Sequence, residues 1–235
     1  PELAGSVGRV FRTSPAVELT EPEAEYVVRC VKHICDEHVV LQFQVQNTIE
    51  DQRLDNVTVQ VDADSDLFEV AGEIAAERIK YGDTESCFTV LQRNTEAALN
   101  PSTFACELHF SVVQVDPTTG EEEGDAGFEE EYPIEDLEVA TSDFMAKVSV
   151  PDFRRAWETM GNGHEVMEKF ALQFKKQEEA VKAVIDFLGM QPCDGTAALK
   201  PNAGGKPHML HLSGVFVGGR SVLARAQVAM QGEGG

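Results

Sequence analysis

The sequence predicts an α+β chain: an immunoglobulin-like β-sandwich followed by a small α/β unit in which helices pack on an antiparallel sheet. Three observations predict it. The front of the chain alternates apolar and polar residues at period two, with no helical stripe competing. After Val150 the spacing changes to helical stripes mixed with short strands. The charge changes at the same place: residues 1–146 carry 8 basic and 32 acidic side chains, residues 147–235 carry 11 and 9. The expected division is therefore 1–148 for the sandwich and 149–235 for the α/β unit.

Residues 25–34 form the first long strand candidate. In 38–47, Val39, Leu41, Phe43 and Val45 face one side, and Gln42, Gln44 and Gln46 the other. Val57, Val59 and Val61 alternate with Thr58, Gln60 and Asp62. Phe104, Cys106, Leu108, Phe110 and Val112 alternate with Glu107, His109 and Ser111. Such alternation marks strands with one buried face. Stretches 67–71, 86–92 and 132–140 bring the set to about seven, with turns such as Glu50-Asp51 and Asn100-Pro101 between them. Antiparallel strands with one wet face stack as two sheets. The run 121–138 holds ten acidic residues and no basic one. It is expected to be a solvated acidic loop, with a partner-facing acidic patch as the alternative; it lacks the ligand-glycine spacing of a calcium loop.

Pro151-Asp152 starts a helix, because Asp152 can cap free N–H groups. Phe153, Ala156, Trp157 and Met160 follow at helical spacing, and Gly161 stops it. Val166, Phe170, Leu172 and Phe174 alternate with polar residues and predict a strand. Val181, Val184, Ile185 and Leu188 form a second helical stripe, ended by Gly189 and Pro192. A loop rich in Gly, Pro and Asn spans 192–207. Stretches 209–217 and 221–230 are expected to pair as a hairpin through a tight primed turn at Gly218-Gly219. The order α-β-α-β-β packs most simply as helices on a small antiparallel sheet.

Composition and motifs exclude several function classes. No run of about 18 apolar residues exists to span a bilayer, and no signal peptide is visible. The chain opens on Pro1, which points to a fragment of something longer. The acidic front half would repel nucleic acid and anionic lipid. Five scattered cysteines suggest buried free thiols of a reducing compartment. Asn56-Val57-Thr58 matches a glycosylation sequon by chance, inside a strand. Cys30, His33, Cys35 and His38 have a zinc-like look, but on a strand Cys30 and His33 point to opposite faces. No metal or cofactor is expected. There is no Gly-x-Ser-x-Gly elbow. Gly205-Lys206 lacks its partner glycine, since Lys200 stands there, and Pro207 follows. No catalytic residue is assigned.

Trp157 is the most informative residue. It lies one turn after Phe153, and both residues facing the core is the plain reading. The sharper reading is a peptide-binding anchor, as Trp is enriched in binding hot spots. Arg225 lies on the strand face opposite Val222, Ala224, Ala226 and Val228, where it would suit ligands combining aromatic and acidic residues.

A β-sandwich joined to an α/β unit carrying Phe-x3-Trp on a helix resembles the appendage domains of vesicle coat proteins, and among them the coatomer gamma subunit family. The resemblance runs from about Phe11 to Met230. It is carried by Leu19-Thr20-Glu21, Glu25-Tyr26-Val27-Val28-Arg29-Cys30, Lys32-His33, and Asp55-Asn56-Val57-Thr58-Val59-Gln60. Further on it is carried by Asp116-Pro117-Thr118-Thr119-Gly120, Glu131-Tyr132, Glu135-Asp136-Leu137-Glu138-Val139, and Phe153 to Trp157. The last pieces are Phe187-Leu188-Gly189-Met190, Pro192-Cys193, Gly214-Val215-Phe216 and Gly218-Gly219.

The resemblance implies a non-enzymatic interaction module of the COPI coat in Golgi-to-ER and intra-Golgi transport. Its partners would be other coatomer subunits and accessory proteins such as an Arf GTPase-activating protein. Its place would be the cytoplasm and, indirectly through the coat, the Golgi membrane and COPI-coated vesicle. It maps a protein-binding site to Phe153 and Trp157, with Arg225 at the basic edge and Arg220 as a weaker member. The alternatives are a purely structural docking domain for other coat subunits, or an appendage of a clathrin-type adaptor. The family continues with another strand and a terminal helix where this chain ends at Gly232-Glu233-Gly234-Gly235, so a truncated or divergent platform is expected.

Overall fold

The computed structural model describes residues 7–63, 66–124, 127–161, 165–199 and 206–230. It divides into two compact units, Pro1–Ala140 and Thr141–Gly235. The division falls ahead of the one expected after residue 148, because residues 145–147 pair with a strand of the second unit.

The described part of the first unit is all β: β1 (Arg12–Thr13), β2 (Val17–Glu18), β3 (Tyr26–Ile34), β4 (His38–Asn47), β5 (Gln52–Asp62), β6 (Phe68–Ile74), β7 (Ala76–Ile79), β8 (Thr84–Arg93), β9 (Ser102–Gln114), β10 (Phe128–Pro133) and β11 (Leu137–Val139). One sheet runs β1-β3-β4-β8-β6, with β2 also on β3. The other runs β10-β9-β5-β7, with β11 also on β9. The ladders are antiparallel. The alternation read from β4 and β9 is the burial observed: Val39, Leu41, Phe43, Val45, Leu108, Phe110 and Val112 all lie inside. Edge-to-face aromatic pairs join the sheets, Tyr26 with Phe110 at 4.7 Å and Phe68 with Phe104 at 5.4 Å. The Thr89 hydroxyl donates across the core to the Val59 carbonyl (3.0 Å), giving a buried polar group its partner.

Asn56 sits at φ 54°, where the register of β5 against β9 shifts between Asp55 and Thr58. Asn tolerates this left-handed conformation better than most residues. Beside the bulge, Arg53 donates two bonds to Asp55 (2.7 and 2.8 Å) and one to Glu122 (2.8 Å). These bonds to Arg53 hold the Asp55 carboxyl below its ordinary range. The acidic run is thus not one solvated loop: β10 and β11 take up part of it, and Glu122 joins an ion pair.

All five cysteines are buried and free. Burial pushes the Cys30 thiol well up, Cys87 to about 12 and Cys106 to about 11. His33 is bonded to Thr13 and Gln42, each at 3.0 Å. Among the described residues no cluster of three metal-ligating side chains occurs.

The second unit opens with a 3-10 turn, Thr141–Phe144, then β12 (Met145–Lys147), α1 (Phe153–Met160), α2 (Gln177–Leu188), β13 (Gln191–Pro192), β14 (His208–Phe216) and β15 (Arg220–Val228). Strand β14 is central: β15 lies along one edge, β12 and β13 along the other. Helix α2 covers one face, packing Ala180 and Val181 with Leu210, Leu212 and Val228; Val222, Ala224 and Ala226 join them. Gly189 ends α2 at φ 62°. A Cβ there would come within 2.8 Å of Ser142, so both the left-handed turn and the close approach demand glycine.

Two expectations are corrected. Residues 166–174 form no strand, and Val166 and Phe170 are 84% and 81% exposed; alternation marks a face that could be buried but supplies no neighbouring strand. The hairpin loop has three residues, not two. Phe216 pairs with Arg220, and the Gly219 N–H closes on the Phe216 carbonyl at 3.0 Å. The turn closed by that bond is centred on Val217 and Gly218, and of these only Gly218 has positive φ, so it is not a type I′ turn centred on the two glycines. Residues 200–205 of the expected loop, and the tail 231–235, lie outside the described residues.

Candidate protein-binding site

Helix α1 is short, and its start is fixed locally: the Asp152 carboxylate accepts from the Arg155 N–H (2.9 Å). This places Phe153 and Trp157 one turn apart on one face. The other side of the site comes from the hairpin, where His211 and Arg225 stand directly opposite each other across β14 and β15. Leu210, Leu212, Ala224 and Ala226 point to α2, so strand alternation sends His211 and Arg225 to the other face.

The four side chains form a row. Phe153, 1% exposed, stacks flat on His211, with centroids 4.4 Å apart and planes at 7°. Trp157, half-buried, lies 5.7 Å from Phe153 at 31°. The Arg225 guanidinium sits 3.9 Å from the Trp157 ring centroid. Such a contact contributes about 0.5–2 kcal/mol, depending on desolvation. Arg225 also donates to Glu165 at 3.3 Å, and His211 Nδ1 donates to Asp194 at 3.1 Å. A carboxylate can only accept, so this bond fixes the proton on Nδ1.

The structure therefore brings together Phe153, Trp157 and Arg225. It does not bring Arg220, which starts β15 five residues away, about 17 Å along a strand, and on the α2-facing parity. Sequence reasoning missed His211, Asp194 and Glu165. The signal for His211 was hairpin register: a three-residue loop sets it opposite Arg225, whereas the expected two-residue turn would set Leu212 there. The arrangement offers a partly exposed aromatic ring beside an exposed cation.

The class of protein follows from two family matches that meet where the β unit gives way to the α/β unit: both are coat-protein appendage subdomains. The matches make it particular. Residues 1–140 match the family described as coatomer gamma subunit appendage platform subdomain, and residues 142–235 the one described as coatomer subunit gamma-1 C-terminal appendage platform. Both descriptions say platform, although residues 1–140 here form the two-sheet unit. The chain belongs to the coatomer gamma subunit appendage family, a family of coat proteins rather than enzymes. It is 41% identical over 227 residues to coatomer subunit gamma-2 of Homo sapiens, covering 96% of this chain and 26% of the relative. It is 44% identical over 232 residues to coatomer subunit gamma of Arabidopsis thaliana, covering 98% and 26%. With coatomer subunit gamma-2 of Oryza sativa subsp. japonica it is 43% identical over 234 residues, covering 99% and 26%. The chain spans about a quarter of the length of the curated relatives it matches. Among the described residues no helix is long and apolar enough to cross a membrane.

Proposed function

We propose that this chain is a recruiting appendage of the COPI coat, joined to the other coatomer subunits and working on the cytosolic face of Golgi membranes and vesicles. It binds short motifs of accessory proteins, an Arf GTPase-activating protein among them, through Trp157 and Arg225, with Phe153 supporting the tryptophan from below. The observation that carries this reading is Trp157: half-buried, seated on Phe153 and faced by a guanidinium. A ligand aromatic ring extends the row, and a ligand carboxylate takes Arg225 from the single 3.3 Å bond to Glu165. Buried Phe153 positions the tryptophan; it is not itself the contact surface.

The test is a pull-down from cytosol with the wild-type chain and Trp157→Ala, alongside thermal melts of both. The expected outcome is loss of the accessory protein with a stability loss under about 2 kcal/mol, since the ring is only half-buried. A loss of about 3–5 kcal/mol, as for a core aromatic, or unchanged partners, would make Trp157 structural.

A further inference from the structure

A groove of about 500 Å³ opens on the β-sandwich unit, between the chain at 19–24 and the chain at 132–136. It shares no residue with the Trp157 site. Backbone bonds build its walls. The Glu135 N–H donates to the Leu19 carbonyl (2.8 Å), the Leu19 N–H to Val28 (2.9 Å), and the Ala24 N–H closes a turn onto Glu21 (3.1 Å). The Thr20 hydroxyl accepts from the Val28 N–H at 2.9 Å. Beneath the groove, the Tyr132 ring meets buried Tyr26 edge-on at 5.2 Å. A shape held this way exists before any ligand arrives, which lowers the ordering cost of binding.

The chemistry of the lining is two-part. Tyr132, Pro133 and Ile134 supply apolar surface above buried Leu19, while Glu21, Glu23, Glu135 and Asp136 supply carboxylates. No lining residue is basic. Glu130 and Glu25 deepen the negative field nearby: after burial, they are what pushes the Tyr26 phenol above its ordinary range. A bare cation would leave the apolar part of the groove wet. A second copy of a chain with net charge -22 would meet repulsion. The occupant that fits both parts is an extended peptide with basic residues flanking an apolar one.

We propose that this groove is a second docking site, one that takes a short basic-apolar segment of a partner protein. The two units then select opposite charges: the sandwich groove takes basic segments, and the Arg225 site takes acidic ones.

The experiment is fluorescence anisotropy with the full 235-residue chain at about 0.15 M salt, where surface charge is screened beyond ~8 Å. The probe is labelled Arg-Ser-Arg-Pro-Leu-Arg-Ser-Arg, and the control replaces every Arg by Glu. The Arg probe binds saturably and the Glu control does not. Glu135→Lys with Asp136→Lys, both exposed positions, weakens binding at least about tenfold. Ile134→Ala, which keeps every charge, weakens it about fivefold. Glu121→Lys with Glu123→Lys, outside the groove, changes it less than about twofold. Trp157→Ala leaves it unchanged, so this outcome is separate from that of the other site. Melts confirm that each variant is folded. Equal weakening by the two charge reversals, no effect of Ile134→Ala, no saturable binding, or a dimer that the Glu135 and Asp136 reversal dissolves would each overturn the proposal.

Discussion

The two units divide their aromatic residues differently between core and surface. The sandwich buries Phe43, Phe68, Phe104 and Phe110 at or below 2% exposure. The α/β unit buries Phe144 and Phe153 but leaves Phe170, Phe174 and Phe187 exposed and Trp157 half-covered. Charge divides them too: residues 1–140 hold 8 basic and 31 acidic side chains, residues 141–235 hold 11 and 10. The first unit puts most of its large apolar surface into its own core, with Tyr81 and Phe128 left exposed. The other keeps part of it outside, where it can contribute to binding. The lesson is that a deep core and a sticky surface can be assigned to different stretches of one chain.

The largest test of that contrast is Phe110→Ala. It removes a ring packed on Tyr26 between two sheets, and is expected to lower stability by about 3–5 kcal/mol, read from a chemical melt of the first unit. The comparable change on the outside, Trp157→Ala, should cost far less stability while removing binding. Next comes Gly189→Ala. It forces a Cβ into Ser142 at a left-handed turn and is expected to cost about 2 kcal/mol, confined to the melt of the second unit.

A smaller effect comes from Asp55→Asn, which deprives buried Arg53 of one partner but leaves Glu122. At pH 7 the expected loss is about 1–2 kcal/mol. Asp55 has a folded pKa below its unfolded one. Its pairing therefore stabilises fully above the ordinary carboxylate range and fades as pH falls through the depressed value. The wild type should lose stability on acidification in that window, and the variant should show a shallower slope, measured by denaturant melts across pH.

The strands with clean alternation were legible because one face meets a dense core. Strands β4 and β9 run with their apolar positions buried along their length. Strand β6 was only partly legible, since its register shifts between Val70 and Gly72 and exposed residues interrupt the pattern. Residues 166–174 show the converse: good alternation without a ladder. At the site, Phe153 and Trp157 were visible in helical spacing and Arg225 in strand parity. His211 was not, because its place opposite Arg225 depends on a loop one residue longer than the glycine pair suggests. Asp194 and Glu165 lie far from their partners in sequence, and only the folded chain brings them near.

The buried thiols have a kinetic consequence. The thiolate is the form that attacks a thiol reagent, so Cys30, Cys87 and Cys106, protonated and enclosed, are silent until the sandwich opens. Cys193 sits 3% exposed in the other unit, bonded to Ser213. Each unit thus carries its own internal clock: labelling rates at Cys193 and at the other three count the opening events of the two units separately, on an unmodified chain.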